Sequence, residues 1–582
     1  MEFELDGVPR TATLRVDRLH ARLIAELPDK ALDLVDIAAF VYAADAMIAR
    51  GGLSDPGMGR AWRRSFKFEI PVRKPEIWRD PGVVRALCET LNLLSDGFFD
   101  FTFTQHPDAS ADSQFLGLNN KAGFQPEEVL MFSGGLESLA GALDDLFNQG
   151  RRVALISHQS STKLQRVQAD LVAELRKRAP GQVMHVPVTM NLKDGATRES
   201  THRTRSFLFA ALGMATAEAF GLNRVRFHQN GVVSLNLPIS GQAVGARATR
   251  STHPQALAGL GRLFSSVFAR PIKVDNPFIW KTKTEIVGLI RDLGASDLLR
   301  MSRSCGDVRD MTRAHPNCGV CSQCIDRRFA MLALGAGDED PIESYAVDPL
   351  AGPRPDVRDR EMAVGYVRNA RHFAAMTPTE LLGEFGEIQR AIASLDMPAD
   401  LAADRLFQLL RRHGTAVTGV VRARLAKVLD GDEDDLAADS LLRLAGLDVL
   451  SGSGGEVVAS RSSVAAPTLA VPDPPIWSLT LSDKPAQVDI SGLGAVKGVS
   501  ALALKTLAAP HLAAAGAGRA FEDYPLTTAA DLSADWGVDE EGVRKRIARL
   551  RRSLRKLAIE AGQDPPDENA IIETIPRRGY RL

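Results

Sequence analysis

The chain has 582 residues, roughly four domain-equivalents at about 150 residues each. Its 71 Lys and Arg against 72 Asp and Glu leave a net charge of −1, which excludes a protein that holds nucleic acid by global charge. An apolar fraction of 45% with 25% charged residues excludes a wholly disordered or collagen-like chain.

Taken in chain order, the opening MEFELDGVPR carries acids and no apolar run, so no secretory signal is expected and a cytoplasmic location follows. No apolar stretch reaches the ~20 residues of a membrane span. The Ala-rich Ser500–Ala520 comes nearest and is interrupted by Lys505, Pro510, His511 and Arg519. Residues 1–125 form an expected α+β region of unknown role. It has strand-like runs at Phe66–Val72 and Phe98–Thr104, helical patterns at Ala31–Ala49 and Gly82–Leu94, and no chemical motif.

Residues 126–340 alternate apolar runs with amphipathic segments, which predicts a parallel α/β sheet. Strands are expected at Val129–Phe132, Val153–His158, Val183–Thr189 and Arg224–His228. Helices are expected at Glu137–Asn148, Lys163–Arg178 and Ser206–Ala219. Residues 341–450 read as a helical region, with helices at Thr379–Leu395, Leu401–Arg412 and Ala416–Leu429. The Ser-, Gly-, Ala- and Pro-rich 451–475 reads as a flexible linker, and 476–582 suffices for one small domain.

Two constellations carry chemistry. In VLMF-SGGLES-LAGAL, a buried strand runs into Ser133-Gly134-Gly135 and a helix follows at once. The glycines let backbone approach a ligand closely, the helix start offers free N–H groups to an anion, and Ser133 and Ser138 add hydroxyls. This predicts a phosphate site. The second constellation is Cys305, Cys318, Cys321 and Cys324, four of the five cysteines, in the spacing C-x12-C-G-x-C-x2-C. Four thiolates at such steps suit a closed, structural tetrahedral Zn2+ site, with Gly319 and Asn317 allowing the turn that points the sulfurs inward. An iron–sulfur cluster is the rival metal, distinguishable by its brown colour. Cys88 reads as a core residue.

SGGLES resembles the PP-loop of ATP pyrophosphatases, usually SGGxDS, with Glu137 where that family carries Asp. Together with NPFIWKTKTEIV (Asn276–Val287) and SC…CGVCSQCIDRRFAMLALG (Ser304–Gly335), it resembles the 7-cyano-7-deazaguanine synthase, or QueC, family across residues 126–340. The resemblance implies a PP-loop sheet that uses ATP with Mg2+ to adenylate a deazapurine carboxylate for attack by ammonia or an amine, yielding the nitrile preQ0 or a conjugate.

By the same resemblance Ser133, Gly134, Gly135, Glu137 and Ser138 wrap the ATP phosphates, and His158 and Gln159 lie beside the nucleotide. Arg203, Arg205 and Ser206 fall at a helix start near it. Lys281 and Lys283 face phosphate or the acyl-adenylate, with Lys281 favoured, and Lys281, Lys283 and Arg205 form the expected catalytic set. The family's Tyr-Pro-Asp-Cys-Arg segment has no counterpart. His228–Pro254 stands there instead, with Asn230 and Gly231 expected to line a pocket, which leaves room for an acceptor other than the family's. Enlarged QueC-like chains also resemble components of bacterial antiphage systems, which implies defence-system protein partners.

The C-terminal segment carries Val543, Ile547, Leu550, Leu554 and Leu557 at helical spacing, opposite a basic face, with Asp539 as N-cap. Residues 540–582 hold 11 basic and 7 acidic residues, a local net of +4. With IIETIPRRGYRL (Ile571–Leu582) as a hairpin and Thr527–Trp536 as a first helix, this resembles the winged-helix domain of OmpR/PhoB-type regulators. That resemblance implies duplex DNA as a partner, met by Arg544, Arg551, Arg552, Arg555, Arg577 and Arg578. No receiver domain precedes it, which argues against control by phosphorelay. Two functions stand: an ATP-dependent QueC-like ligase with an appended reader, or a degenerate nucleotide- or deazapurine-sensing DNA-binding regulator. A scaffold in a defence complex is a third.

Overall fold

In the computed structural model the central strands run buried from end to end. Residues 2–5, 8–16, 27–48, 63–106, 124–159, 161–193, 199, 203–237, 250–306, 312, 315–430, 436–450, 479–481, 487–490, 494–516, 527–561, 572–575 and 579–581 are described. Strands β1 (Glu2–Leu5), β2 (Val8–Val16), β5 (Glu128–Met131), β6 (Val153–His158), β7 (Val183–Lys193), β8 (Arg224–Arg226) and β9 (Lys273–Asp275) form one sheet in the order β1-β2-β7-β6-β5-β8-β9. The five strands from β7 to β9 are parallel, and the β1–β2 hairpin adds antiparallel to β7.

Every residue of β5 and β6 is buried, because both faces are covered. Successive side chains alternate between two cores. Val129, Met131, Ala154 and Ile156 face one, which contains Arg205–Ala219 and Pro254–Phe268. Leu130, Phe132, Val153 and Leu155 face the other, built from Leu136–Leu143, Thr162–Arg178 and Lys283–Asp292.

The predicted helix Glu137–Asn148 is a regular helix only to Leu143, and a wider turn carries the chain to Asn148. The order β7-β6-β5-β8-β9 reverses direction beside β5. In open α/β sheets ligands bind at such a reversal, outside the carboxyl ends of the strands. The Gly-Gly turn leaves β5 at that end.

The described residues of the three segments set apart in the sequence at 125 and 340 fall in one compact unit. The N-terminal helix Asp29–Met47 shares the first sheet core. With it lies a separate parallel pair, β3 (Ser65–Val72) and β4 (Phe98–Gln105), joined by the helix Pro81–Ser95. Phe66 and Phe99 stack at 5.1 Å, as do Phe68 and Phe101.

The helical region differs from expectation in two places. Thr379–Leu395 is two short helices, Pro378–Glu384 and Ile388–Ile392, broken at Phe385-Gly386. Leu401–Arg412 and Ala416–Leu429 are one helix, Ala399–Leu429. Gly414 does not interrupt it. A Cβ there would lie 2.2 Å from the Ala370 carbonyl, so this glycine permits close contact with the helix Val357–Ala375.

The second compact unit takes the described residues from 479 onward. It has a three-stranded antiparallel sheet (Leu479–Leu481, Gln487–Ile490, Gly494–Lys497), helices Val499–Gly516, Ala529–Trp536 and Glu540–Glu560, and a hairpin of Glu573–Ile575 with Gly579–Arg581. Asp539 caps the last helix as expected, accepting from Gly542 N at 2.8 Å. Val543, Ile547, Leu550 and Leu554 are in the core. The expected linker 451–475 and the basic turn with Arg577 and Arg578 lie outside the described residues. Among the described residues no helix is long and apolar enough to cross a membrane.

Candidate active site and cysteine centre

The loop after β5 is built by its own hydroxyls and two neighbours. Gly134 sits at φ +81°, the left-handed region that favours glycine. Ser133 Oγ accepts from Gly135 N at 3.2 Å and lies 3.1 Å from Ser138 Oγ, which donates to Gly135 O at 3.0 Å. Gln168 Nε2 reaches Ser133 O at 3.2 Å and His158 O at 3.4 Å, tying the ends of β5 and β6 together. From the other side Arg303 N donates to Gly134 O at 3.0 Å, and a Cβ on Gly135 would come within 3.1 Å of Arg303 O. The helix that follows therefore starts from a fixed turn, the arrangement that binds anions.

Glu137 does not stay at the loop surface. Its Oε1 accepts from Asn230 Nδ2 at 3.0 Å and lies 3.2 Å from Lys283 Nζ. Lys283 is only 1% exposed, pairs with Asp326 Oδ2 at 2.9 Å, and donates to Gln323 Oε1 at 3.2 Å. Burial alone would depress its pKa, but Asp326 and then Glu137 more than offset this and hold it above the ordinary lysine value. Burial likewise pushes Asp326 up, and Lys283, His413 and Tyr366 outweigh that, so its pKa lies below the usual carboxylate value. Lys283 thus faces carboxylates in this structure rather than the open side of the loop. The capping box of Thr282 and Glu285 fixes the helix that carries it. Lys281, two residues earlier, is half-buried, and its ammonium has no partner among the described residues.

Asn230, expected to line a pocket, instead anchors Glu137 and caps the short helix at Gly231 through its Oδ1. A Cβ on Gly231 would meet Ile279 O at 1.9 Å, so the glycine serves backbone contact. His228 packs its ring on Gly141 and against Phe278 at 4.9 Å. Burial lowers its pKa to about 3, so the imidazole is neutral.

His158 and Gln159 are buried at the end of β6, with His158 edge-on to Tyr42 at 6.0 Å and 5.1 Å from Phe209. Arg203 and Ser206 are buried at the start of the helix Arg205–Ala219, while Arg205 is exposed with its guanidinium 5.8 Å from the Phe209 ring. The turn before this helix is held from the N-terminal layer: Asp45 Oδ2 accepts from both Thr204 N and Thr204 Oγ1 at 2.9 Å. Gln168, Arg303, Tyr366 and Asp45 fall in none of the quoted motifs, and Asp326, though inside the cysteine motif, was not singled out there. Each acts through a partner more than 30 residues away.

The four cysteines converge, with their sulfurs all within 4.8 Å of one another. Cys318 and Cys324 are 3.8 Å apart, close to the separation of about 3.8 Å set by tetrahedral Zn–S bonds of about 2.3 Å. Sulfurs this close suit a single ion, whereas a cluster of several irons spreads its thiolates farther apart. Gly319 makes the turn at φ +86°, where a Cβ would lie 1.7 Å from Val347 O. Asn317 serves differently from expectation, bridging in parallel to Tyr345. Arg354 closes the knuckle, donating to Gly319 O at 3.2 Å, Val320 O at 3.1 Å and Pro349 O at 2.7 Å. The centre is linked to the loop by two short paths: Cys305 lies two residues after Arg303, which bonds Gly134, and the helix bearing Cys324 also bears Gln323 and Asp326, the partners of Lys283.

In the C-terminal unit Arg544, Arg552 and Arg555 are exposed. Arg551 is half-buried and donates to Ile572 O, and Arg546 lies 5.7 Å from the Trp536 ring. No curated protein matches the chain. Residues 182–335 match the family described as "Queuosine biosynthesis protein QueC", a stretch that starts downstream of the phosphate loop and contains Lys281, Lys283 and all four clustered cysteines. This match and the five parallel strands around it support a QueC-like, PP-loop-type α/β domain.

Proposed function

We propose that the chain is an ATP-dependent ligase of QueC type, which activates a deazapurine carboxylate by adenylation. The observation that carries this reading is the joining of the phosphate loop to Lys283 through Glu137, with Lys283 inside the stretch, 182–335, that matches QueC. Ser133, Gly134, Gly135 and Ser138 would cradle the phosphates of magnesium-bound ATP, and Lys281 supplies the uncommitted cation. A carboxylate oxygen of the acceptor attacks the α-phosphorus and displaces pyrophosphate. Ammonia or an amine then attacks the acyl carbon, the C–N bond forms, and AMP leaves with the former carboxylate oxygen, giving an amide. With ammonia, a second ATP adenylates the amide oxygen with release of pyrophosphate, and loss of AMP carrying that oxygen, together with the two amide protons, leaves the nitrile. Fixed cations favour the charge that gathers at the α-phosphorus. Lys283 acts one step back, holding Glu137 and the helix start. Cys305, Cys318, Cys321 and Cys324 would hold zinc, which with four thiolates has no open position and supplies rigidity rather than chemistry.

Incubation with ATP, magnesium, ammonia and 7-carboxy-7-deazaguanine should yield AMP and pyrophosphate, with a nitrile seen by mass spectrometry. Ser133→Ala and Lys281→Ala should abolish AMP release, and full turnover in both would sink the reading. AMP without nitrile would point to another acceptor, in line with the missing pocket segment and with the conjugation chemistry expected of a defence system.

A second activity rests on the exposed Arg544, Arg552 and Arg555 beside a terminal hairpin. We infer that the C-terminal unit is a winged helix that binds duplex DNA, with a large phosphate contribution.

A further inference from the structure

The helical region 357–429 reaches the phosphate loop through a continuous line of buried polar groups. Tyr366 is on the helix Val357–Ala375, and its hydroxyl donates to Asp326 Oδ1 at 2.7 Å. Asp326 Oδ2 lies 2.9 Å from Lys283 Nζ, and Lys283 lies 3.2 Å from Glu137 Oε1, in the first turn of the helix after the loop. His413, from Ala399–Leu429, packs edge-on against Tyr366 at 5.7 Å and faces Asp326. All five side chains are buried.

The position of the Lys283 ammonium is a balance between two carboxylates. One is Asp326, whose second oxygen is fixed by Tyr366, and the other is Glu137, whose shared oxygen is fixed by Asn230. Away from water such a balance is stiff, because each charge lacks solvent to replace a lost partner. If the Tyr366 hydroxyl is removed, Asp326 loses a donor and the ammonium is freed to shift. Glu137 and the first turn after the loop then lose their fixed counter-ion.

We propose that Tyr366 is a positioning residue for the phosphate loop, acting through Asp326 and Lys283 on Glu137. The helical region is thereby part of the nucleotide site's framework. That the loop holds ATP rests on the ligase reading above, but the mechanical link does not, so the two are tested apart.

The test is amide hydrogen exchange on the unliganded full chain. Tyr366→Phe keeps the ring and removes only the hydroxyl. It should speed exchange in Leu136–Leu143 about ten-fold, the loss of one hydrogen bond to a charged group. Val367→Ala, a neighbour buried in the same helix but without a bond to Asp326, should leave that segment within about two-fold while lowering overall stability comparably. Because coupling is reciprocal, Glu137→Gln should speed exchange around Tyr366. Unchanged loop exchange in Tyr366→Phe, or equal acceleration in Val367→Ala, overturns the proposal. AMP release by the same proteins reports separately. Tyr366→Phe should lower kcat with a smaller change in the KM for ATP. A wild-type chain without turnover overturns the ligase reading and leaves the exchange data to decide this one.

Discussion

Lys283 Nζ stands between Asp326 at 2.9 Å and Glu137 at 3.2 Å, so the carboxylate of the phosphate loop is neutralised by a lysine rather than left open. The extra methylene of Glu137 over the usual Asp of such loops extends its reach toward this partner. Charge is thereby stored behind the loop, where it sets geometry, rather than in front of it.

Removing the cation leaves two buried carboxylates uncompensated. Lys283→Met should cost about 3–5 kcal/mol, read as a lower denaturant midpoint in urea. Glu137→Asp shortens one arm and should cost about 1–2 kcal/mol. The pair also has a pH signature. The raised Lys283 pKa contributes stability present below the unfolded value of about 10.4 and lost as pH rises through the folded one. The lowered Asp326 pKa contributes stability present above about 3.9 and lost as pH falls through the folded value. Lys283→Met should remove the alkaline loss, and an unaltered alkaline limb would contradict the assignment.

His228 makes the protein acid-sensitive earlier than its carboxylates do. It is neutral and buried, with a pKa of about 3, while the unfolded chain takes up a proton near pH 6.5. Between those values the unfolded state binds more protons, so stability falls by up to about 1.4 kcal/mol per pH unit as pH drops. His253, lowered to about 4 mainly by burial, adds to the same slope. Denaturant unfolding at pH 7 and pH 5 should show the loss, and a flat response would exclude it.

Gly141 lies against the His228 ring, and a Cβ there would be 2.2 Å from it. Gly141→Ala should cost about 1–3 kcal/mol despite the better helix propensity of alanine. Gly150→Ala is the contrast. No atom lies within 4 Å of its Cβ position, and only the strain of φ +64° opposes it. Thermal melting of both variants distinguishes packing from backbone cost.

Metal analysis of the purified chain should find about one zinc per chain and no colour. Cys321→Ser should lose the metal and lower the melting temperature. Because Arg303 and Asp326 connect this centre to the loop, chelation should also speed amide exchange in Leu136–Leu143. A brown protein containing iron would overturn the zinc assignment.

Duplex DNA affinity should fall with salt, and each of Arg544→Ala, Arg552→Ala and Arg555→Ala should reduce the slope of log K against log salt by about 1. Arg551→Ala should act differently. It is tied to Ile572 O, so its loss should lower the melting temperature more than the salt slope. Equal effects of all four on the slope would show that Arg551 is a contact after all.

The local elements were largely legible. Apolar runs without alternation marked β5 and β6, Gly134 and Gly319 occupy turns with positive φ, and Asp539 caps the helix that the spacing of Val543, Ile547, Leu550 and Leu554 outlines. The cysteine spacing alone anticipated a four-sulfur centre, and the sulfurs converge. These features depend on neighbours within a turn or a short loop, where residue type fixes backbone geometry directly. The hairpin of β1 and β2 went unseen despite a local signal, Asp6-Gly7 followed by the alternation Thr11–Val16, whereas its pairing with β7 joins residues some 180 apart and leaves none.

The near-neutral composition by itself determined only that charge must be partitioned along the chain, and the motifs indicated where anion and metal chemistry would lie. Which charges are spent inside the fold was decided by tertiary structure alone. Lys281 and Lys283 look alike in sequence, yet one has no charged partner among the described residues and the other is locked between Glu137 and Asp326. Arg551 and Arg552 are adjacent, yet only the first is tied to a carbonyl across the core. Burial and distance set the strength of a charge's interactions, and both depend on packing between segments far apart in the chain.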